Sequence, residues 1–296
     1  MDNLRGAALM VLSMLGFAVE DMFIKLVSDS LPIGQILFLL GVGGAFVFAI
    51  VVRLQGNRLF VAELRSIPII LRAFCELAGT MAFVSAIVLT PISSASAILQ
   101  ATPLVVTLGA ALFLGEAVGW RRWSAIFIGF IGVLLIIRPG MDSFEPLSLL
   151  ALIAVFSLGT RDLATRRIPK SVTTMQLSFL GFAAIIPAGP IMLWLTAERP
   201  VAMEGMALVY FPAALIIGLF AYYAIVAAMR VGDVGFVTPF RYARLVFALI
   251  IGVMIFGENP DALTLTGAAI IVASGIYTVL RESKQRRALS KLAGKV

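Results

Sequence analysis

Three charged residues lie deep inside apolar runs, where charge is costly. Glu76 falls within "IPIILRAFCELAGTMAFVSAIVL" (67–89), and Arg241 and Arg244 fall within "VTPFRYARLVFALIIGVMIFGE" (237–258). In hydrocarbon such a group costs at least about 2.5–3.5 kcal/mol, so it faces protein or water and takes a partner. Arg241 and Arg244 are three residues apart and share a helix face, while Arg72 stands one turn before Glu76, within i,i+4 reach. The chemistry this suggests is recognition of a zwitterionic solute. A guanidinium fork grips a carboxylate, Glu76 takes an ammonium, and Glu76 meets Arg241 or Arg244 as counter-charge. Two arginines against one glutamate leave a surplus cation, which favours an anionic group on the solute. The competing reading is a buried ion pair that fixes register and binds nothing.

Uncharged side chains extend the candidate site. Ser93, Ser96, Gln100, Pro103 and Thr107 recur every three or four residues, a single helical stripe that faces water or another helix. Phe83, Tyr222, Tyr223 and Tyr242 lie near the middle of their segments and could stack on an apolar or aromatic solute, or simply pack. Pro103 and Pro239 each free a backbone carbonyl and are expected to bend their helices. A further set lies nearer the segment ends. Glu20, Asp21 and Lys25 match Arg161, Asp162 and Arg166, with Asp21–Lys25 and Asp162–Arg166 at i,i+4. They read as paired gates or as snorkelling interfacial charges. Gln35 and Gln176, at helix ends, read as gate or structural residues.

Other chemistries are excluded by what the chain lacks. Without histidine there is no H-E-x-x-H zinc site and no histidine-based triad or relay. No G-x-x-x-x-G-K-[ST] loop is present, so the chain is not an ATP-driven pump on its own. The lone Cys75 has no internal disulfide partner. Neither enzyme activity, metal nor cofactor is expected.

The elements that position these residues follow from composition. The chain is 61% hydrophobic and 13% charged, with a mean hydropathy of +1.05. Soluble domains run near half apolar and a quarter charged. The apolar segments have the length that a ~30 Å hydrocarbon core demands of a helix. Ten spans are expected, near Leu4–Val27, Pro32–Val52, Ile67–Leu89, Ile92–Leu114, Trp123–Ile137, Leu147–Ala164, Val172–Leu195, Ala207–Ala228, Val234–Phe256 and Leu263–Leu280. With the N-terminus in the cytoplasm, eighteen lysines and arginines fall in inside segments, and only Lys25, Arg138 and Arg199 fall outside. That bias places both termini inside. It also explains the net charge of +7 as cationic loops on an anionic leaflet, without nucleic acid. Small residues such as Ala125 and Gly129 permit close helix contact within a monomer, or dimerisation.

The spans repeat. "LGE" (114–116) ends the fourth span and "FGE" (256–258) ends the ninth. "GVLLIIR" (132–138) closes the fifth and "GIYTVLR" (275–281) the tenth, while "EDMFIK" (20–25) aligns with "RDLATR" (161–166) and Gln35 with Gln176. The offset is 141 to 143 residues throughout. Five spans per half is odd, so the halves insert upside down relative to each other, with Glu116 toward the cytoplasm and Glu258 outside. Inverted repeats point to a transporter with a midplane site.

These features resemble the EamA-type family of the drug/metabolite transporter superfamily. The resemblance implies an all-α membrane fold of ten transmembrane helices in two inverted five-helix repeats, 1–141 and 142–282, followed by a cationic tail, 283–296. It implies a central cavity lined by the first, third, fourth, sixth, eighth and ninth helices. It implies ATP-independent export of amino acids or related small metabolites across a bacterial inner membrane. Sugar-phosphate or nucleotide-sugar transport is the alternative within the superfamily, and an intramembrane enzyme or scaffold the alternative outside it. The chain departs from the family at the ninth helix, where Pro239 comes early and Arg244 stands near the depth that Pro103 occupies in the fourth.

Overall fold

The structure is a computed structural model describing residues 2–60, 62–115, 119–141, 144–169, 171–231 and 234–293; for 62, 122, 230, 234, 235 and 282–293 it describes only the backbone. Glu116, half of one Gly-Glu pair, lies outside the described residues. The described residues form helices and no strand: α1 (Asp2–Val27), α2 (Ile33–Leu54), α3 (Ile67–Leu89), α4 (Ile92–Leu99), α5 (Thr102–Phe113), α6 (Trp120–Ile137), α7 (Ser148–Thr165), α8 (Thr174–Ile185), α9 (Ala188–Thr196), α10 (Ala207–Val231), α11 (Val234–Val237), α12 (Ala243–Phe256) and α13 (Ala262–Ala293). Among them, nine helical stretches are long and apolar enough to cross a membrane, and Trp123–Ile137 forms a shorter apolar helix. Many large apolar side chains stay on the surface, including Phe46, Phe74, Phe127 and Met254, each at least 65% exposed. Patches of that kind suit lipid rather than water.

Three stretches expected as single spans are interrupted. The fourth breaks at Gln100–Ala101 between α4 and α5. Pro103 cannot donate to the Leu99 carbonyl, which accepts the Thr102 hydroxyl at 2.6 Å in its place. The seventh breaks at Ile186–Pro187, between α8 and α9, by the same loss of a donor. The ninth opens as α11, tightens into a 3₁₀ turn over Thr238–Tyr242 around Pro239, and continues as α12.

The helices form two compact units, and each unit draws on both halves of the sequence. One comprises Met1–Val19, Ile92–Glu145 and Ile217–Val296; the other comprises Glu20–Pro91 and Pro146–Ile216. In the first unit α6 packs antiparallel on α13 at a backbone crossing. A Cβ on Gly132 would meet the Gly267 carbonyl at 2.7 Å, and one on Gly267 would meet the Gly132 carbonyl at 2.5 Å. Close approach of this kind is what small residues permit in membranes. Gly129 likewise lies against Leu104 and Ser274, so this stripe packs inside the chain. Met10, Met14, Ala228 and Val237 form an apolar cluster in the same unit. In the second unit α3 packs along α7, and α2 packs on α8 and α9. Phe48 and Phe182 stack at 5.5 Å in that layer.

Candidate functional site

In the first unit the site is built on the two interrupted stretches. α4 begins at a carboxylate. Glu258 accepts from the backbone N–H of Ile92 at 2.5 Å, the N–H of Ser93 at 3.0 Å and the Ser93 hydroxyl at 2.5 Å. These are orphan donors of a helix N-terminus, which an anion satisfies best. Glu258 reaches them because Gly257 turns the chain at φ +62°, and its own N–H returns to the Gly252 carbonyl. One turn further along the stripe, Ser96 is buried with no hydrogen-bond partner among the described residues. At the break itself, Gln100 Nε2 donates to the Arg241 carbonyl at 3.2 Å. Position 241 follows position 100 by 141, the offset of the repeat, so corresponding points of the two interrupted stretches touch.

The neighbouring side chains are placed as follows. The Tyr242 ring is buried, and its hydroxyl has no partner among the described residues. It lies against Gly275 of α13, where a Cβ would occupy the hydroxyl's own place. The Arg244 guanidinium sits 5.3 Å over the Phe17 ring, a cation–π contact. Thr107 turns its hydroxyl back to the Pro103 carbonyl at 2.9 Å. Tyr222 is half-buried, and Tyr223 is exposed.

In the second unit Glu76 sits about 13 Å along α3 from Ile67 at the usual helical rise. Its Oε1 pairs with Arg161 Nη1 at 2.9 Å and its Oε2 with Arg72 Nη2 at 3.4 Å. Arg161 in turn grips Asp162, through Nε at 2.9 Å and Nη2 at 2.7 Å. Gly181 of α8 lets the chain pass close over the Glu76–Arg72 pair. Within its own unit Glu76 thus has two arginines, one on each carboxylate oxygen, beside the Arg241 or Arg244 expected as its counter-charge. The i,i+4 reading was right for Arg72. For Arg161 the spacing gave no hint, because α7 lies 85 positions downstream.

The residues read as gates or interfacial charges are placed as follows. Lys25 donates to the carbonyls of Ile87 and Thr90 at 2.7 and 2.6 Å, so the ammonium closes the C-terminus of α3, where a cation is favoured. Asp21 is buried, Glu20 half-buried and Arg166 exposed. Phe83 is buried in α3. Gln35 grasps Val201 by both backbone groups, donating at 2.8 Å and accepting at 2.9 Å. Gln176 donates to the Arg58 carbonyl at 2.7 Å and closes a capping box with Thr173. Val201 follows Arg58 by 143, so these contacts too repeat at the sequence offset. At the end of α6, Arg138 pairs with Asp261 and donates to Thr264 at 3.0 Å. Asp261 also accepts the Thr264 N–H at 3.0 Å; the Arg138 guanidinium first, and this N–H second, hold its carboxyl well below the usual range. "DALT" (261–264) carried that capping signal in the sequence.

Nine apolar helical stretches of membrane-crossing length among the described residues fit a multi-pass membrane protein. The chain belongs to the EamA-like transporter family, whose profile matches residues 4–138 and again 146–280. It is 28% identical over 221 residues to an S-adenosylmethionine uptake transporter of Rickettsia prowazekii, covering 73% of this chain and 72% of that one. It is 32% identical over 221 residues to a riboflavin transporter of Vibrio cholerae, covering 74% and 73%. It is 27% identical over 275 residues to the pseudopaline exporter CntI of Pseudomonas aeruginosa, covering 92% and 94%. One crystal structure shares the fold at a TM-score of 0.58 and 17% identity, over 96% of this chain and 99% of that one. The chain is thus a membrane transporter of this family.

Proposed function

We propose that the protein is a secondary transporter of carboxylate-bearing small metabolites, amino acids or amino-acid-derived compounds, working by alternating access without ATP. The observation that carries this reading is the Gln100–Arg241 contact, where two interrupted stretches meet at positions one repeat apart. Broken backbone at membrane depth is tolerated where it lines a cavity, and transporters built from inverted repeats place their substrate at such breaks. Ten spans in two inverted halves, with both termini in the cytoplasm of a bacterial inner membrane, fit the charge bias and the repeat. Arg241 and Arg244 supply the fork for a carboxylate; Ser96, Gln100 and Tyr242 supply uncharged polar contacts. S-adenosylmethionine, the named solute of one relative, carries an amino-acid head on a larger aromatic body, and the aromatic side chains near these arginines suit such a body. Relatives named for uptake and for export leave the direction to experiment.

The test is flux into vesicles containing purified protein. The panel is S-adenosylmethionine, riboflavin, free amino acids and sugar phosphates. Carboxylate-bearing solutes are expected to move, and Arg244→Gln to abolish their flux in folded protein, with Arg244→Lys recovering only part. Flux of riboflavin or sugar phosphates alone, or full flux in Arg244→Gln, would overturn the carboxylate reading. Absence of any flux from folded protein would count against transport of every solute tried.

A further inference from the structure

The surface of the first unit carries a groove that the transport reading does not use. It lies between α6 and α13, has a volume of about 520 Å³, and is lined by Trp120, Arg121, Ile128, Ile270, Ala273 and Tyr277 among others. The two helices run antiparallel here. Trp120 and Tyr277 therefore mark one end, and Ile128 and Ile270 mark the other, about 12 Å away along the helix at 1.5 Å per residue. Ala125 and Ser274, both buried, lie at the floor of the trough. Its lining is apolar except for Ser274, whose hydroxyl donates to the Ile271 carbonyl at 2.9 Å, and for the first end, where Arg121, Ser124 and Tyr277 stand. The Arg121 guanidinium is held there, 5.3 Å over the Trp120 ring.

A cation with hydroxyls at the mouth and an apolar trough running inward match one amphipathic shape. We propose that this groove binds an anionic glycerophospholipid, its phosphate on Arg121 and one acyl chain laid along the trough toward Ile128. Arginine suits a phosphate through its paired N–H donors, and aromatic residues favour the level of the headgroups. A second copy of the chain suits the groove less well. A two-fold contact would bring the same face opposite, and the lining holds Arg121 with no acidic residue to receive it.

The chain has three tryptophans, so Trp123→Phe with Trp194→Phe leaves Trp120 as the reporter. This variant is reconstituted into phosphatidylcholine vesicles containing graded fractions of brominated phosphatidylglycerol or, in parallel, brominated phosphatidylcholine. Bromine quenches only tryptophan that it touches. Phosphatidylglycerol is expected to quench Trp120 with about a fivefold preference, the worth of one basic side chain at an anionic surface. Arg121→Gln should erase that preference. Ala273→Phe projects from an exposed position into the trough and should weaken quenching by both lipids. Equal quenching by the two lipids would reduce the groove to ordinary lipid contact and overturn the proposal. So would a preference untouched by both substitutions. Disulfide cross-linking between copies through Ala273→Cys, in a Cys75→Ala background, would assign the groove to a second chain and overturn it too.

Discussion

Removing the Glu258 carboxylate tests whether the Gly-Glu turn is a helix cap. Glu258→Ala strips two backbone N–H groups and one hydroxyl of α4 of their acceptor. Loss of an N-cap costs about 0.5–2 kcal/mol, and the lost attraction between a carboxylate and a helix N-terminus adds roughly 0.3–1 kcal/mol. The expected destabilisation is therefore about 1–3 kcal/mol. Glu258→Gln keeps one acceptor oxygen and should lose about half of that. Ser93→Ala removes one of the three donors and should cost about 1 kcal/mol. Because the two residues share the interaction, Glu258→Ala with Ser93→Ala should cost less than the sum of the singles. The assay is thermal melting of purified protein followed by size exclusion. At roughly 2–4 °C per kcal/mol for a chain of this size, Glu258→Ala should melt about 2–12 °C below wild type. A melting point unchanged by Glu258→Ala would refute the cap. So would strict additivity with Ser93→Ala, which would mean that the two residues do not act on each other.

Three further outcomes are expected. Arg161→Gln deprives Glu76 of its 2.9 Å partner. Breaking a buried pair costs about 3–5 kcal/mol, lowered here to about 2–4 kcal/mol by partial exposure of Arg161; Glu76→Gln in the same chain should recover part of the loss on melting. Gly275→Ala should sharply lower the yield of folded protein, because the new methyl group would overlap both the Tyr242 hydroxyl and the ring carbon that bears it; Tyr242→Ala in the same chain should recover yield on size exclusion, and Tyr242→Phe, which removes the oxygen alone, should recover less. Asp261 has a lowered carboxyl pKa, chiefly through Arg138, so its stabilisation is present above the ordinary carboxyl range and fades as pH falls. The melting gap between wild type and Asp261→Asn should stay constant down to about pH 5, narrow progressively below about pH 4 and close only well below the ordinary carboxyl range.

The spans were legible because apolar length and short turns are local signals. The third span was expected at Ile67–Leu89 and α3 occupies those residues, ended by the Thr90-Pro91 junction. Pro103 signalled an interruption, although the break falls at Gln100–Ala101, one turn toward the N-terminus, where the missing donor is felt. Pro187 carries the same signal for the seventh stretch, inside a continuous apolar run that masks it. Partners across helices were not legible. Spacing assigns Glu76 to a face of α3 but cannot say that Arg161 lies opposite. Glu258 was legible as half of a repeated pair, yet its job depends on residues 165 positions earlier. The i,i+4 relation of Lys25 to Asp21 was legible on its own helix; the reach of its ammonium to carbonyls at the end of α3 was not.

Each compact unit is assembled from both halves of the sequence, and this bears on how the protein is made. Gln35 of the first half holds Val201 of the second, and Gln176 of the second holds Arg58 of the first. Glu258 caps a helix whose first residues emerged from the ribosome long before it. The first five apolar segments therefore enter the bilayer without the neighbours they will pack against. Glu76 waits there for Arg161, and the N-terminus of α4 waits for its carboxylate. Neither unit can close until the last third of the chain is synthesised. Biogenesis thus has a prolonged stage in which half-built surfaces lie in lipid, open to quality-control proteases. Truncation after the first half should leave an unfinished surface rather than a smaller transporter.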